Sequence, residues 1–296
     1  MSHSHHHHDH PNRTKAVDQN RVSISIALII TSAFVIVEAI GGWISNSLAL
    51  LSDAGHMLSD AASLGLSLFA MWIATRPPSS EKTFGYYRFE ILAALFNGLA
   101  LLGVSIYIYI EAYHRFWQPP EVASRMMLFI AFIGLIANLV CAWILTRGDV
   151  KENLNLRSAF LHVIGDILGS LGAIGAGLFI YYFNWYIADP IISVIIATLV
   201  FLSGLRVTGE SLHILMEGTP RDINVTLLVE TLKKIPGVKN VHELHIWTIT
   251  SGFHSLSCHL VIPYGEDDQE ILENAKKVIQ QQFGITHTTI EIERPS

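Results

Sequence analysis

Residues 53–60 read Asp53-Ala54-Gly55-His56-Met57-Leu58-Ser59-Asp60 and lie inside an apolar run that extends over residues 48–74. A run of this length exceeds the ~20 residues that an α-helix needs to cross a bilayer core. Ionisable side chains are costly at membrane depth, and they usually mark a functional site there. The stretch therefore predicts a spanning helix that carries part of such a site.

Apolar runs of similar length recur along the 296-residue chain, in which 51% of residues are hydrophobic and 15% are charged. They cover residues 22–45, 48–74, 89–112, 125–146, 158–183 and 187–212. We therefore predict a membrane α-helical protein with a six-transmembrane-helix bundle over residues 21–213. The formal net charge of −6 and the lack of a basic stripe argue against a nucleic-acid partner.

The distribution of basic residues predicts the topology in the lipid bilayer. Lys and Arg precede the first run and concentrate after the second, fourth and sixth runs, whereas the opposite loops hold little more than Arg115 and Arg125. Basic loops stay on the cytoplasmic side, so both termini are predicted to be cytoplasmic. Tryptophans fall near predicted span ends, where the headgroup region favours them, at Trp43, Trp72, Trp117 and Trp185.

Residues 1–20 are predicted to form a His-rich, disordered N-terminal tail that attracts metal. The stretch has no apolar core of a signal peptide. A purification tag is the alternative, but the interrupting Ser4 and Asp9 favour a native tail. Cys141 and Cys258 lack the spacing of a zinc site or a disulfide framework, so we interpret them as packing residues.

From residue 214 to residue 296 the pattern predicts a soluble domain with the element order αββαβ. Helical periodicity, strand alternation and turn signals give helices and strands at Asp222–Ile235, Val238–Thr250, Phe253–Ile262, Asp267–Phe283 and Thr288–Glu293. In the last strand, Glu291 and Glu293 face away from the two isoleucines. A domain of about 75 residues has a thin core, which predicts self-association as a homodimer.

Two His–Asp pairs with identical spacing lie inside the second and fifth runs. His56 and Asp60 are four residues apart, and so are His162 and Asp166. Residues four apart share one helix face, with Cβ atoms about 5–6 Å from each other. In the predicted topology the two helices run antiparallel, so His56 lies level with Asp166, and Asp60 with His162. Two nitrogens and two carboxylate oxygens then form a tetrahedral set typical of Zn²⁺.

A single His–Asp pair would also fit a local hydrogen bond or a polar contact between helices. Two copies favour a metal, because each buried carboxylate needs a compensating charge and one divalent ion neutralises both. The fifth run also carries small residues that permit close helix packing, at Gly165, Gly169, Ser170, Gly172 and Gly175.

Further polar residues lie inside the apolar runs. Asp53, on nearly the same face as His56, is interpreted as an outer-side relay or a helix-end polar group rather than a ligand. Glu38, Asn97 and Asn138 are interpreted as groups that hydrogen-bond between helices.

From about residue 20 to its end, the sequence resembles the cation diffusion facilitator family, specifically its zinc-transporting bacterial members with HxxxD on both the second and fifth helices. The loop Lys82-Thr83-Phe84-Gly85-Tyr86-Tyr87-Arg88-Phe89-Glu90 and the stretch His242-Glu243-Leu244-His245-Ile246-Trp247 also resemble family signatures. The resemblance implies a homodimer in the bacterial inner membrane. It further implies a copper-chaperone-like αββαβ cytoplasmic domain and the exchange of cytoplasmic Zn²⁺ for protons.

Carried over to this sequence, the resemblance implies a transport site and a second, cytoplasmic metal site that binds a regulatory ion. The transport site comprises His56, Asp60, His162 and Asp166, and the cytoplasmic site comprises His242, His259, Glu291 and Glu293. Exposed strand histidines are also common as plain surface residues, so the second set has that alternative.

The resemblance makes two further points about charged and metal-binding positions. The loop before the third helix has Tyr86 and Tyr87 but no histidine, so the additional loop metal of some family members is not expected. Arg88 and Glu217 match positions where the family places a charge interlock. The alternative is that they are two ordinary interfacial charges.

Three classes of function fit a metal quartet inside a membrane. Efflux of zinc, cadmium or cobalt by alternating access uses ligands that protons also occupy. An intramembrane zinc hydrolase is disfavoured, because four protein ligands close the site and no HExxH is present. A metal sensor without flux leaves the buried quartet unexplained. The absence of a sulfur ligand argues against Cu(I).

Overall fold

The computed structural model describes residues 11–74, 79–146, 154–250 and 252–295. Inside the helices, the side chains of some residues are not described, and Asp60 and His162 are among them. Several predictions fall on residues outside the described ranges, namely the first ten residues of the tail and the basic loop residues Arg76, Arg147 and Lys151.

Six long helices form the first part of the chain. They are α1 (Pro11–Ser45), α2 (Leu48–Ala74), α3 (Phe89–Trp117), α4 (Ser124–Thr146), α5 (Leu154–Phe183) and α6 (Ala188–Leu215). The predicted apolar runs coincide with these helices to within a few residues at most ends. The prediction of a membrane α-helical domain is therefore confirmed.

Four helices are long and apolar enough to cross a membrane over their described side chains. They are Phe89–Trp117, Ser124–Thr146, Val163–Phe183 and Ala188–Leu215, with mean hydropathy between 1.9 and 2.6 in their most apolar windows. In α1, the described apolar part covers Ile29–Ser45. Large apolar side chains point outward from these helices, as a lipid environment requires, and Phe129 is 66% exposed.

Helix α1 begins inside the segment that was predicted to form the N-terminal tail. The prediction assigned residues 1–20 to a disordered segment, but α1 is already helical from Pro11. Proline is favoured at the first helical position, where its missing N–H leaves no hydrogen bond unmade. Between Pro11 and the apolar run there is no glycine or second proline to interrupt the helix.

The chain divides into two compact units. The first comprises Met1–Leu64 with Leu99–Leu205, and the second comprises Gly65–Gly98 with Arg206–Ser296. In the first unit, α4 packs against both α1 and α5. A buried cluster that includes Phe34, Leu50, Met57, Met127 and Ala173 joins α1, α2, α4 and α5. A second cluster, with Leu48, Ile108 and Ala197, joins α2 to α3 and α6.

A two-residue turn reverses the chain between α1 and α2. Asn46 adopts a left-handed backbone with φ of 58°, and the Ser47 N–H donates to the Gly42 carbonyl at 3.0 Å. This pattern closes a helix C-terminus, and asparagine tolerates the left-handed position better than most residues. Trp43, Trp117 and Trp185 are all exposed and lie at the ends of α1 and α3 and between α5 and α6. Their exposure fits the predicted headgroup positions.

The C-terminal domain has the predicted order αββαβ. Its elements are α7 (Val225–Lys233), β1 (Asn240–Thr250), β2 (Phe253–Val261), α8 (Asp268–Phe283) and β3 (His287–Glu293). Asn224 caps α7, and Asp267 caps α8 through the N–H groups of Gln269 and Glu270. Gly284, with φ of 70°, closes α8 in the left-handed conformation.

The three strands form one sheet in the order β1-β2-β3. The β1–β2 pair is antiparallel and the β2–β3 pair is parallel, with α8 as the crossover. The apolar faces of α7, α8 and the sheet enclose one core, in which Leu228, Leu256, Leu260, Ala275 and Ile279 are fully buried. This core is small, as the length of the domain predicts.

Candidate metal sites

The four residues of the predicted transport quartet lie within helices α2 and α5. His56 and Asp60 lie in α2, and His162 and Asp166 lie in α5. His56 is half-buried and Asp166 is fully buried. The side chains of Asp60 and His162 lie outside the described part of the chain. The quartet therefore stays a prediction.

Helix α2 approaches α5 closely beside the quartet. A Cβ added to Gly169 would lie only 2.7 Å from Asp53 Oδ1, so the Asp53 carboxylate rests against the backbone of α5. Asp53 precedes His56 by three residues, and Gly169 follows Asp166 by three residues. If the two helices are antiparallel, one helical turn from this contact brings His56 and Asp166 to the same level.

The small residues of α5 have different roles. Gly169 accommodates Asp53, and a Cβ at Gly172 would meet Ile192 of α6 at 3.2 Å. A Cβ at Gly165 or Gly175 would meet no atom of the described residues within 4 Å. The prediction of close packing along α5 therefore applies at Gly169 and Gly172, while the other two glycines have no close neighbour among the described residues.

Two further carboxylates lie beside Asp166. Glu38 of α1 has no exposed surface, and Asp53 of α2 is 2% exposed. Both interact electrostatically with Asp166, and Glu38 also interacts with Asp53. The prediction that Glu38 hydrogen-bonds between helices holds, because its carboxyl group is hydrogen-bonded to that of Asp53 in α2. The corresponding prediction for Asn138 holds, since its Nδ2 donates to Ser170 Oγ at 3.4 Å.

A buried carboxylate that the sequence did not single out connects the first turns of α6 and α2. Asp189 has no exposed surface, and it accepts hydrogen bonds from Ser47 Oγ at 2.6 Å and from the Leu48 and Ala49 N–H groups at 2.8 and 3.2 Å. Arg115 Nη1 of α3 lies 3.7 Å from Asp189 Oδ2. Asp189 directly follows a helix start, but nothing in the sequence links it to a partner 141 residues away.

In the C-terminal domain, three strands bring a histidine–carboxylate cluster together. His242 of β1 pairs with His259 of β2, and Glu293 of β3 lies between their rings. Glu293 Oε2 lies 2.9 Å from His242 Nε2, and Oε1 lies 2.7 Å from His259 Nδ1. One donor atom from each residue lies within 4.8 Å of the others. Among the described residues this is the one cluster compact enough to hold a metal ion.

Glu293, rather than Glu291, completes this cluster. Glu291 is directly opposite His259 in the parallel register, but its Oε2 lies 3.7 Å from His259 Nε2. Glu293 is two residues further along the same strand face and reaches both histidines. The β1 strand also has a bulge after His242, where Glu243 adopts φ of 49°. Bulges are frequent beside functional sites because they redirect a side chain.

The histidine–carboxylate contact changes the protonation of both partners. The hydrogen bond with Glu293 and the nearby carboxylates raise the pKa of His259 above its ordinary value of 6.5. The same hydrogen bond, with a second one from His242, lowers the pKa of Glu293 below 4.5. Both shifts favour an imidazolium–carboxylate pair, which a metal ion replaces by displacing the proton.

The loop before α3 packs on the C-terminal sheet within the second unit. The rings of Phe84 and His287 lie 5.6 Å apart, and those of Tyr87 and Phe253 lie 5.9 Å apart, both edge-to-face. Arg88 Nη2 lies 3.1 Å from Glu217 Oε1, so the pair implied by the resemblance is in contact. Both side chains are largely exposed, and an exposed pair of this kind contributes little to stability.

Both cysteines are buried in apolar surroundings, as predicted. Cys141 packs beside Leu145 and Val163, and Cys258 belongs to the core of the C-terminal domain. Burial raises the pKa of the Cys258 thiol to about 11, so the sulfur is protonated at neutral pH. A protonated, buried thiol is a poor metal ligand.

Long apolar helices with buried acidic side chains, followed by a small domain with a histidine–carboxylate cluster, define an integral membrane protein that handles cations. The chain belongs to the cation efflux, or cation diffusion facilitator, family. The family's cation efflux transmembrane domain matches residues 24–216, and its cation efflux cytoplasmic domain matches residues 220–295.

Several curated relatives match almost the whole chain. The "Cadmium, cobalt and zinc/H(+)-K(+) antiporter" of Bacillus subtilis is 50% identical, with 93% of this chain and 89% of the relative covered. "Metal cation efflux system protein CzcD" of Cupriavidus metallidurans is 42% identical over 93% of this chain and 87% of the relative. "Zinc transporter ZitB" of Pectobacterium atrosepticum is 42% identical over 90% and 83%.

One solved structure also matches the C-terminal part. The "Metal-bound C-terminal domain of the CzcD transporter" is 36% identical, covers 24% of this chain and 99% of that chain, and has a TM-score of 0.23.

Proposed function

We propose that this divalent-cation efflux transporter exports Zn²⁺, with Cd²⁺ and Co²⁺ as further substrates, in exchange for protons. Membership in the cation efflux family supports transport and rules out the alternative of an intramembrane hydrolase. The names of the curated relatives support zinc, cadmium and cobalt as cargo. Imidazole and carboxylate ligands accept all three ions.

The cargo site is the quartet His56, Asp60, His162 and Asp166. The observation that carries this assignment is the contact of Asp53 with the backbone of Gly169, which places α2 against α5 one turn from His56 and Asp166. Asp166 is fully buried and lies among other carboxylates, so its surroundings attract a cation. Two histidines and two aspartates give four ligands and two negative charges, which match one divalent ion.

The same four ligands couple zinc to protons. Neutral imidazole and ionised carboxylate bind the metal, whereas their protonated forms do not. Zinc that enters from the cytoplasm displaces protons from the ligands. When the bundle opens to the other side, protons from that side release the zinc and reload the site. Alternating access with one shared site therefore produces exchange without a separate proton channel.

The membrane arrangement that we propose has six spanning helices, with both termini in the cytoplasm of a bacterium and the bundle in the inner membrane. The distribution of basic residues supports this orientation. We further propose a homodimer, which the match to the family's cytoplasmic domain and the small core of that domain both support. The domain boundaries are residues 21–213 and 214–296.

The cluster of His242, His259 and Glu293 binds a regulatory Zn²⁺ in this proposal, with Glu291 as a neighbouring carboxylate. One nitrogen from each histidine and a carboxylate oxygen provide three ligands of the kind that zinc prefers. Ion binding ties β1, β2 and β3 together, so metal supply changes the rigidity of the domain. The cluster thereby adjusts transport to the cytoplasmic metal concentration.

Zinc flux into proteoliposomes tests the transport site. Alanine at His56, Asp60, His162 or Asp166 is expected to abolish accumulation while the protein still elutes as a monodisperse peak. His114→Ala, an exposed histidine in α3, is the matched control and keeps the native rate. Native flux in any quartet variant contradicts the assignment.

The regulatory site is tested by measuring zinc flux as a function of zinc concentration in His242→Ala and His259→Ala. We expect the zinc dependence of flux to change in both variants, while flux at saturating zinc remains.

A further inference from the structure

The transport quartet leaves two buried carboxylates of the membrane domain without a role. Glu38 of α1 has no exposed surface and Asp53 of α2 is 2% exposed. They interact with each other and with Asp166 of α5, so three helices direct carboxylates to one place. Ionised carboxylates at membrane depth require a compensating positive charge or several hydrogen-bond donors.

Three of the four carboxylate oxygens of Glu38 and Asp53 receive no hydrogen bond from a backbone N–H or a polar donor side chain of the described residues. These are both oxygens of Glu38 and Oδ2 of Asp53, and all three are buried. The carboxyl groups of Glu38 and Asp53 lie within hydrogen-bonding distance of each other. Two buried carboxyl groups at this distance are held together either by a shared proton or by a cation in its place.

Asp189 is a buried carboxylate of the same unit that has a structural role, and it provides a comparison for Glu38 and Asp53. It is equally buried, but it accepts one hydroxyl and two backbone N–H hydrogen bonds and lies beside Arg115. Its charge is compensated by the protein itself. Among the described residues, no comparable set of N–H and hydroxyl donors surrounds Glu38 and Asp53, so a cation is the remaining source of positive charge when both are ionised.

The pair lies next to the transport quartet and not within it. Asp53 precedes His56 by almost one helical turn, a rise of about 5 Å along α2. Its Oδ1 rests against Gly169, where an alanine Cβ would approach to 2.7 Å. Gly169 in turn follows Asp166 by almost one turn of α5. The two carboxylates are thus displaced from the quartet toward the end of α2 that begins at Leu48.

We propose that Glu38 and Asp53 form a second cation site, which holds the transported divalent ion one helical turn from the quartet. This inference rests on the proposed transport function. Two carboxylates balance the charge of one divalent ion. Their donor set contains oxygen alone, which binds zinc less tightly than a set with two imidazoles and favours harder ions such as Mn²⁺. A weaker neighbouring site lets the ion leave the quartet without crossing the apolar region unliganded.

Isosteric neutralisation separates this role from folding. Glu38→Gln and Asp53→Asn keep the side-chain shape and remove the charge. We expect zinc flux to fall by at least about tenfold in each variant. Without the second site the ion crosses an apolar region with no ligand, and this raises the free-energy barrier to transport. Equilibrium zinc binding at the quartet should remain. Glu210→Gln, an exposed glutamate of α6 paired with Arg221, is the matched control and should keep native flux.

The number of bound ions tests the site directly. In full-length protein with the quartet residues His56, Asp60, His162 and Asp166 and the cytoplasmic His242 and His259 all replaced by alanine, Mn²⁺ is the probe for the remaining membrane site. We expect one Mn²⁺ per protomer by electron paramagnetic resonance, and none after the further change Glu38→Gln. Glu38→Asp, which keeps the charge on a shorter side chain, should bind Mn²⁺ more weakly but still bind one ion.

The outcomes separate this inference from the proposed function. Native flux in Glu38→Gln and Asp53→Asn, together with lost flux in His56→Ala, overturns the second site and leaves the transport site standing. The second site is also overturned if flux slows in these variants but the protein with Glu38 intact binds no Mn²⁺. In that case protons, and not a metal ion, neutralise the two carboxylates. Native flux in His56→Ala overturns the transport site itself.

Discussion

Asp189 fixes the first turn of α2 through Ser47, whose hydroxyl donates to Asp189 Oδ1 at 2.6 Å. The same carboxylate accepts the N–H groups of Leu48 and Ala49, so α6 supplies an N-terminal cap for α2. A negative charge at a helix N-terminus is also favourable to the helix dipole. The helix that carries His56 and Asp60 is therefore anchored at this end by a residue of another helix.

Asp189→Asn should destabilise the membrane domain by about 1–3 kcal/mol. The amide cannot accept all three hydrogen bonds, and it no longer neutralises the positive charge of Arg115. Thermal unfolding in detergent measures the loss. Asp222→Asn is the control, since its side chain is 73% exposed. Equal unfolding temperatures for the two variants would show that the cap contributes nothing.

Gly169→Ala should reduce zinc flux strongly, because its Cβ would displace the Asp53 carboxylate and push α2 away from α5. Gly175→Ala provides the comparison in the same helix. Its Cβ would meet no atom of the described part of the chain within 4 Å, and alanine favours a helix by up to about 1 kcal/mol over glycine. The measurement is zinc flux in the two variants. Equal rates would argue against a close α2–α5 contact near the site.

The His259–Glu293 pair predicts a pH window for the C-terminal domain without metal. The raised pKa of His259 stabilises the folded domain below pH 6.5, and this contribution is lost as pH rises through the raised value. The lowered pKa of Glu293 stabilises it above pH 4.5, and that contribution is lost as pH falls through the lowered value. The pair therefore stabilises the domain most between these two pH values.

Limited proteolysis of the intact, chelator-treated protein measures this window. Glu293→Gln should remove the added protection between pH 4.5 and 6.5, since His259 loses the hydrogen bond that raises its pKa. Glu273→Gln, on the surface of α8, is the control. An unchanged pH profile in Glu293→Gln would refute the assigned protonation of the pair.

Arg88 and Glu217 should contribute no more than about 1 kcal/mol to stability, because their ion pair is exposed to solvent. A double-mutant cycle with Arg88→Ala and Glu217→Ala measures the coupling between them. We expect it to vanish at high salt, where exposed charges are screened. A coupling well above this magnitude that persists in salt would give the pair a larger structural role.

Much of the fold follows from local patterns. Apolar runs longer than a bilayer crossing predict α3 to α6 because an α-helix satisfies its backbone hydrogen bonds within one segment in lipid. Turn and capping residues, such as Asp267 and Gly284, predict the ends of α8. The HxxxD spacing places His56 with Asp60, and His162 with Asp166, on a helix face without any tertiary information.

The remaining features depend on tertiary contacts that spacing does not encode. Asp189 caps α2 across 141 residues, and Glu38 meets Asp53 only because α1 packs beside α2 and α5. The choice of Glu293 over Glu291 depends on the parallel register of β3, since both residues lie on the same strand face. Sequence patterns gave the ligand types, and packing determines which of them meet.

Zinc and proton fluxes measured together in proteoliposomes test the central claim, that the quartet exchanges a divalent cation for protons. With an acidic lumen, the native protein should accumulate Zn²⁺ against its gradient while the lumen becomes more alkaline. Asp166→Asn should abolish both fluxes. Zinc accumulation that does not depend on the pH gradient, or that persists at the native rate in Asp166→Asn, would contradict the account.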